Sequence, residues 1–146
     1  MTEIRTEIDI NAPAEKVWGI LQDFKKYPEW NPFIKHAEGI VLKGEFLKVH
    51  IEPPGRKGMI FQPQILKAES NRELRWKGKF LIPGLFDGEH SFVLKEVSPQ
   101  KTKLIHAEKF TGIFIPLFKR MLSDTERGFE MMNEALRKRA EDGGEN

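Results

Sequence analysis

PLFKRMLSDTERGFEMMNEALRKRA, residues Pro116 to Ala140, is the stretch on which the fold turns. Leu117, Met121, Thr125, Phe129, Met132 and Leu136 recur at spacings of three and four, which sets them on one face of a long amphipathic helix. Pro116 suits the first turn of such a helix, where its missing N–H costs nothing. At 1.5 Å per residue the run would reach roughly 37 Å, enough to cross a small domain. Its apolar face carries methionines, a threonine and the neighbouring Gly128, so either a solid core or a cavity lies beneath it.

Upstream, the periodicity is two rather than three and a half. Ile4, Thr6, Ile8 and Ile10 alternate with charged residues, the pattern of a half-buried strand. Asn11-Ala12-Pro13 opens a short helix, capped at Asn11 or Ala12, with Ala14, Val17, Trp18 and Leu21 as its buried stripe. The aromatic, proline-containing segment Phe24 to Pro32 reads as one or two further helical turns. Strands are expected over Ile34–Leu42, Phe46–Pro53, Met59–Ala68, Glu73–Phe80, Phe86–Val97 and Lys101–Thr111. Turn clusters at Pro53–Gly58, Asn71, Pro83-Gly84 and Ser98–Gln100 punctuate them. Pro63 implies an edge or a bulge within its strand. With no strand–helix–strand alternation the sheet should be antiparallel, and a meander of this length curls. The expected fold class is α+β: a strongly curved antiparallel sheet of about six to seven strands around the long C-terminal helix, with two short helices after the first strand. One domain is expected over residues 1–140, followed by a disordered polar tail at 141–146.

Composition narrows the chemistry. The chain has 146 residues, no cysteine and a formal charge of +2. A chain of this size buries enough surface to fold without a metal or a disulfide. Thiolate zinc sites and cysteine nucleophiles are excluded. Basic and acidic residues are interspersed, so no nucleic-acid footprint is present. The apolar runs are too short for stable membrane insertion, and the first residues do not read as a signal peptide, so a cytoplasmic location is expected.

The motifs Ile8-Asp9-Ile10-Asn11-Ala12-Pro13-Ala14-Glu15-Lys16-Val17-Trp18, Asp23-Phe24 and Tyr27-Pro28-Glu29-Trp30-Asn31-Pro32 resemble those of the START and birch-pollen-allergen-like superfamily, the helix-grip fold. Glu73-Leu74-Arg75-Trp76, Pro83 to His90 and Glu108-Lys109-Phe110-Thr111-Gly112 are similar to its bacterial polyketide cyclase/dehydrase-like group. The resemblance covers essentially residues 2–140. It implies a deep, mostly apolar cavity between sheet and long helix that holds a hydrophobic small molecule, with no metal and no other cofactor.

On the inward faces of the proposed strands, alternation places Phe61, Trp76, Phe80, His90, Phe92, His106, Glu108 and Phe110. Met121, Thr125 and Phe129 face them from the helix, and Trp30 and Phe33 stand at the proposed mouth. A three-residue hairpin loop would set Leu94 opposite Leu104, Phe92 opposite His106 and His90 opposite Glu108, with cross-strand partners about 4.5–5.5 Å apart at Cβ. Three readings of His90, His106 and Glu108 are open. They are a polar cluster that orients a ligand in an apolar pocket, an acid–base set for aldol cyclisation or dehydration, or a facial metal set. A one-residue slip of register would turn all three outward.

Tyr27, the only tyrosine, reads as a surface packing residue, His36 and His50 as lone histidines, and His50 as solvated on the face it shares with Lys48 and Glu52. No phosphate-binding loop, dinucleotide fingerprint or zinc-protease motif is present. The function expected is binding of a lipid-like, polyketide-like or aromatic molecule. The alternative is a cyclase or dehydratase that moves protons with His90 or His106 and Glu108. The chain would act as a monomer or homodimer.

Overall fold

The computed structural model describes residues 2–79, 87–113 and 115–142. The chain begins with strand β1 (Thr2–Ile10), then helix α1 (Ala14–Leu21), a 3-10 turn (Phe24–Lys26) and the four-residue α2 (Tyr27–Trp30). Seven strands follow: β2 (Ile34–Glu38), β3 (Lys48–Ile51), β4 (Met59–Phe61), β5 (Gln64–Glu69), β6 (Glu73–Lys79), β7 (Asp87–Ser98) and β8 (Lys101–Thr111). A second 3-10 turn (Ile115–Phe118) leads into α3 (Lys119–Asp142).

All pairings are antiparallel, in the order β1-β8-β7-β6-β5 and β2-β3-β4. Segment 44–47 joins the two sets, because Gly44 N–H and Leu47 N–H donate to the carbonyls of Ile65 and Pro63, and Ile65 N–H donates to that of Glu45. The result is one strongly curved wall wrapped around α3, the helix-grip architecture. Among the described residues there are eight strands, not six or seven, because the expected Met59–Ala68 strand breaks at Gln62-Pro63. Proline cannot donate to the ladder, and the split falls where its N–H would be needed.

Local differences have similar causes. Pro13, not Asn11 or Ala12, occupies the cap of α1, with extended backbone and no side-chain cap. Asn11 instead donates its N–H to Glu141 at 2.8 Å and ties the end of β1 to the last turn of α3. The helix therefore continues past Ala140 through Asp142, and residues 143–146 lie outside the described part. At its other end the chain enters through a 3-10 turn, whose three residues per turn rotate Leu117 off the buried face. Leu117 is 76 % exposed. The face that does meet the sheet carries Leu122, Thr125, Gly128, Phe129, Met132, Asn133, Leu136 and Ala140.

Tyr27 is a core residue, not a surface one. It is fully buried, donates its hydroxyl to the Leu21 carbonyl at 2.5 Å and is held protonated by burial and the nearby Asp23 carboxylate. A lone tyrosine beside proline gave no sign of this, because the partner carbonyl belongs to the end of α1. Asn31 accepts from the N–H groups of Phe33 and Ile34, both at 2.9 Å, and so turns the chain from α2 into β2.

Candidate functional site: a cavity with a buried histidine relay

The register of β7 and β8 is the one expected, reached by a different turn. Ser98 pairs with Lys101, and an irregularity between Glu96 and Ser98 restores the offset that a three-residue loop would give. His90 therefore faces Glu108 and Phe92 faces His106. Extended across the sheet, this register builds two adjacent inward rows. One runs Ile65, Trp76, His90, Glu108, Ile4. The other runs Leu74, Phe92, His106, Thr6.

The two rows have different fates. The first borders a cavity of about 80 Å³ between the sheet and α3. Trp76, His90, Glu108 and Phe110 line it from the long strands, Phe33 and Phe61 from the other side, and Met121 and Thr125 from the helix. The second row lies behind it in solid core, where Phe92 and His106 are completely buried. Of the expected ligand-facing set, Phe92, His106 and Phe129 thus pack as core rather than cavity wall, because α3 sits directly on that row. Trp30 is also away from the cavity, edge-on against Tyr27 with ring centroids 5.2 Å apart. Phe80 falls outside the described residues, as does the expected Pro83-Gly84 turn.

Where α3 meets Phe33, residue 128 is glycine. A Cβ there would stand 2.4 Å from Cδ1 of Phe33, itself part of the cavity wall. Gly88 does the same beside Glu108, where a Cβ would lie 2.2 Å from Oε2 and displace the carboxylate. Both glycines make room for a cavity side chain, which is a packing role rather than a hinge.

The polar groups form a chain. His90 Nε2 lies 2.7 Å from His106 Nε2, and His106 Nδ1 lies 2.8 Å from Asn133 Oδ1. Asn133 Nδ2 donates to Thr6 Oγ1 at 2.8 Å, and Thr6 donates to the backbone carbonyl of His106 at 2.9 Å. At the cavity end, His90 Nδ1 stands 3.3 Å from Glu108 Oε1, within ion-pair range. The contact is not aligned as a hydrogen bond, so Nδ1 is buried without such a partner. His106 is sandwiched between Phe92 and Phe129, the latter stacked at 3.9 Å and 5°. Burial holds its imidazole well below the usual histidine range, the neighbouring His90 adds to that, and the bond to Asn133 opposes it only in part.

This arrangement does not converge on a metal. Two imidazole nitrogens bound to one ion at 2.0–2.1 Å stand roughly 3.3 Å apart, not hydrogen-bonded to each other, and Glu108 approaches the opposite nitrogen of His90. No cluster of three or more metal-ligating side chains occurs among the described residues. Thr6 and Asn133 were missed as members of the site. Their signal was present in the sequence, since Thr6 is a polar residue between Ile4 and Ile8 in the inward column of β1, and Asn133 follows Met132 on the helix.

His36 and His50 are not simply solvated. His36 is exposed, but the rings stack at 6.0 Å, and His50 is half-buried against Gly58, where a Cβ would lie 2.1 Å from its Nε2.

A curved antiparallel sheet closed around one long helix, with a cavity between them, is the helix-grip fold. Within it, the family model described as polyketide cyclase / dehydrase and lipid transport matches residues 1–141, and the chain belongs to that family. No curated protein matches the chain. Solved structures share the fold at low sequence identity. A START superfamily protein from Mycobacterium smegmatis is 22 % identical, with TM-score 0.72 and coverage of 95 % of this chain and 97 % of that one. The Zhui aromatase/cyclase from a Streptomyces strain is 16 % identical, with TM-score 0.77 and coverage of 98 % of each chain. A protein from Mesorhizobium loti is 20 % identical, with TM-score 0.73 and coverage of 94 % and 95 %. Among the described residues, no helix is long and apolar enough to cross a membrane.

Proposed function

We propose that this chain binds an apolar small molecule, aromatic or lipid-like, in the cavity between the sheet and α3, with the polar end of the ligand against His90 and Glu108. The observation that carries this reading is a mostly apolar cavity whose wall holds one polar pair, His90 and Glu108. Such a pocket takes the apolar body of a ligand and orients it by a few placed polar groups. The volume, about 80 Å³, limits what is buried. At about 30 Å³ per water this is room for a few waters, so the cavity takes a ring or a chain end and the remainder of a larger ligand lies toward the mouth.

The partner is thus a hydrophobic small molecule, with no metal, other cofactor or nucleic acid in the reading. The unit that acts is the single domain 1–140, cytoplasmic, as a monomer or homodimer. The test is binding. Native mass spectrometry of protein purified from its host should reveal a bound apolar molecule. A panel of aromatic and acyl compounds should also change the emission of Trp76, a cavity residue, and the change should vanish in Trp76→Phe. Protein that carries nothing and binds nothing from such a panel, or a response that persists in Trp76→Phe, would sink the reading.

A second reading, a cyclase or dehydratase without metal, is favoured by one observation: the 3.3 Å approach of His90 to Glu108 on the cavity wall. A carboxylate beside an imidazole in an apolar wall is suited to moving a proton at a carbonyl-bearing ligand, typically worth about 10²–10⁴-fold in rate. Turnover of polyketide-like substrates should then fall by about that factor in Glu108→Gln. Unchanged turnover in both Glu108→Gln and His90→Ala would leave only the binding role.

A further inference from the structure

We propose that Thr6 and Asn133 lock His106 as its Nδ1–H tautomer, and that the lock leaves one shared proton between His90 and Glu108, with Glu108 as its port to the cavity. The inference follows from counting hydrogens along the chain. A threonine hydroxyl has a single proton, and that of Thr6 is given to the His106 carbonyl. Its Oγ1 therefore meets Asn133 as an acceptor, and Asn133 must present its amide Nδ2. That orientation turns the amide oxygen toward His106 Nδ1, and an oxygen that can only accept requires a proton on the nitrogen.

His106 is fully buried between two aromatic rings and stays neutral, so its Nε2 carries a lone pair. His90 Nε2, 2.7 Å away, must donate to it. What remains is His90 Nδ1, which faces Glu108 Oε1 at 3.3 Å. With neither atom protonated, two lone pairs would oppose each other in a buried wall. One proton between them removes the conflict, whether it rests on the imidazole or on the carboxyl group.

The far end of the chain is closed. Its last hydroxyl returns to the backbone of His106 itself, and Thr6, His106 and Asn133 are all buried. A proton cannot leave that way. Glu108, with its side chain 17 % exposed and on the cavity wall, is the open end. Thr6 and Asn133 are thus positioning residues that never touch a ligand. Glu108 is the group that exchanges a proton with one, and His90 is its reserve. Only this last role rests on the cavity being the ligand site.

Long-range ¹H–¹⁵N spectra of ligand-free protein with labelled histidines test the lock directly, because protonated and bare ring nitrogens resonate far apart. The expected result is His106 protonated at Nδ1 and bare at Nε2, with His90 protonated at Nε2. In Glu108→Gln the new amide can donate to His90 Nδ1, so that nitrogen should move to the bare position while His106 is unchanged. Thr6→Val removes the acceptor for Asn133 with little change of volume, and should mix the two His106 tautomers. His106 protonated at Nε2 in the wild type would overturn the proposal. It would mean the Asn133 amide points the other way and His90 already holds an Nδ1–H for Glu108. A folded Thr6→Val protein with an unmixed Nδ1–H tautomer would overturn the part given to Thr6. Expected tautomers without ligand binding would uphold the lock and remove the binding reading. Reversed tautomers with ligand binding would do the opposite.

Discussion

Phe129→Ala is expected to lower the unfolding free energy by about 3–5 kcal/mol, the range for removing a fully buried phenylalanine. Phe129 is 0 % exposed and touches both halves of the site. Its ring stacks on His106 at 3.9 Å and meets Phe33 edge-on at 5.5 Å. Truncation would open a void between α3 and the second inward row, and would also loosen the ring that borders the cavity. Against a total stability of about 5–15 kcal/mol for a domain, this is a large share. Urea titration of wild type and variant at neutral pH measures it. A loss below about 1 kcal/mol would contradict the tight packing of helix on sheet described above.

Mild acid is expected to destabilise the protein through His106. In the folded state its imidazole titrates well below the ordinary value of 6.5, chiefly because it is buried. Above pH 6.5 both states hold it neutral, and the stability associated with it is fully present. Below that pH the unfolded chain binds a proton that the folded chain refuses, so ν_U exceeds ν_N and stability falls with acidification. The loss is about 1.4 kcal/mol per pH unit, and it continues until the folded-state value is reached. The window runs from pH 6.5 down to the depressed folded-state value. Carboxylates add their own acid dependence, so the measurement is the difference between wild type and His106→Gln in urea titrations across that window. Parallel pH slopes in the two proteins would mean that His106 is not held neutral by the core.

Particular residues show where sequence reading sufficed and where it stopped. Alternation in Phe86–Leu94 and Lys101–Thr111 put His90 and Glu108 on one face, but their pairing holds because an irregularity between Glu96 and Ser98 restores the offset of the expected three-residue loop. The same rule put His106 on the correct face, yet not at the cavity, since it says nothing of how near α3 approaches at each row. Phe129 shows that approach, its ring stacked from α3 on His106 at 3.9 Å. Leu117 was misplaced for a similar reason. Helical spacing assumes that the helix has already begun, and the 3-10 entry breaks the phase.

The alternation of strands, the one long amphipathic helix, the antiparallel pairing and, through these, a sheet curled around a helix are all legible along the chain. These follow from periodicity and turn chemistry, which are local and read along the chain. Which inward polar residues form a chain, and in which direction it runs, follows from how the core packs. Hydrogen bonds between Thr6, His90, His106 and Asn133 depend on tenths of an ångström between groups on β1, β7, β8 and α3. Such distances are set by packing of the whole core, and no pattern confined to a few consecutive residues encodes them.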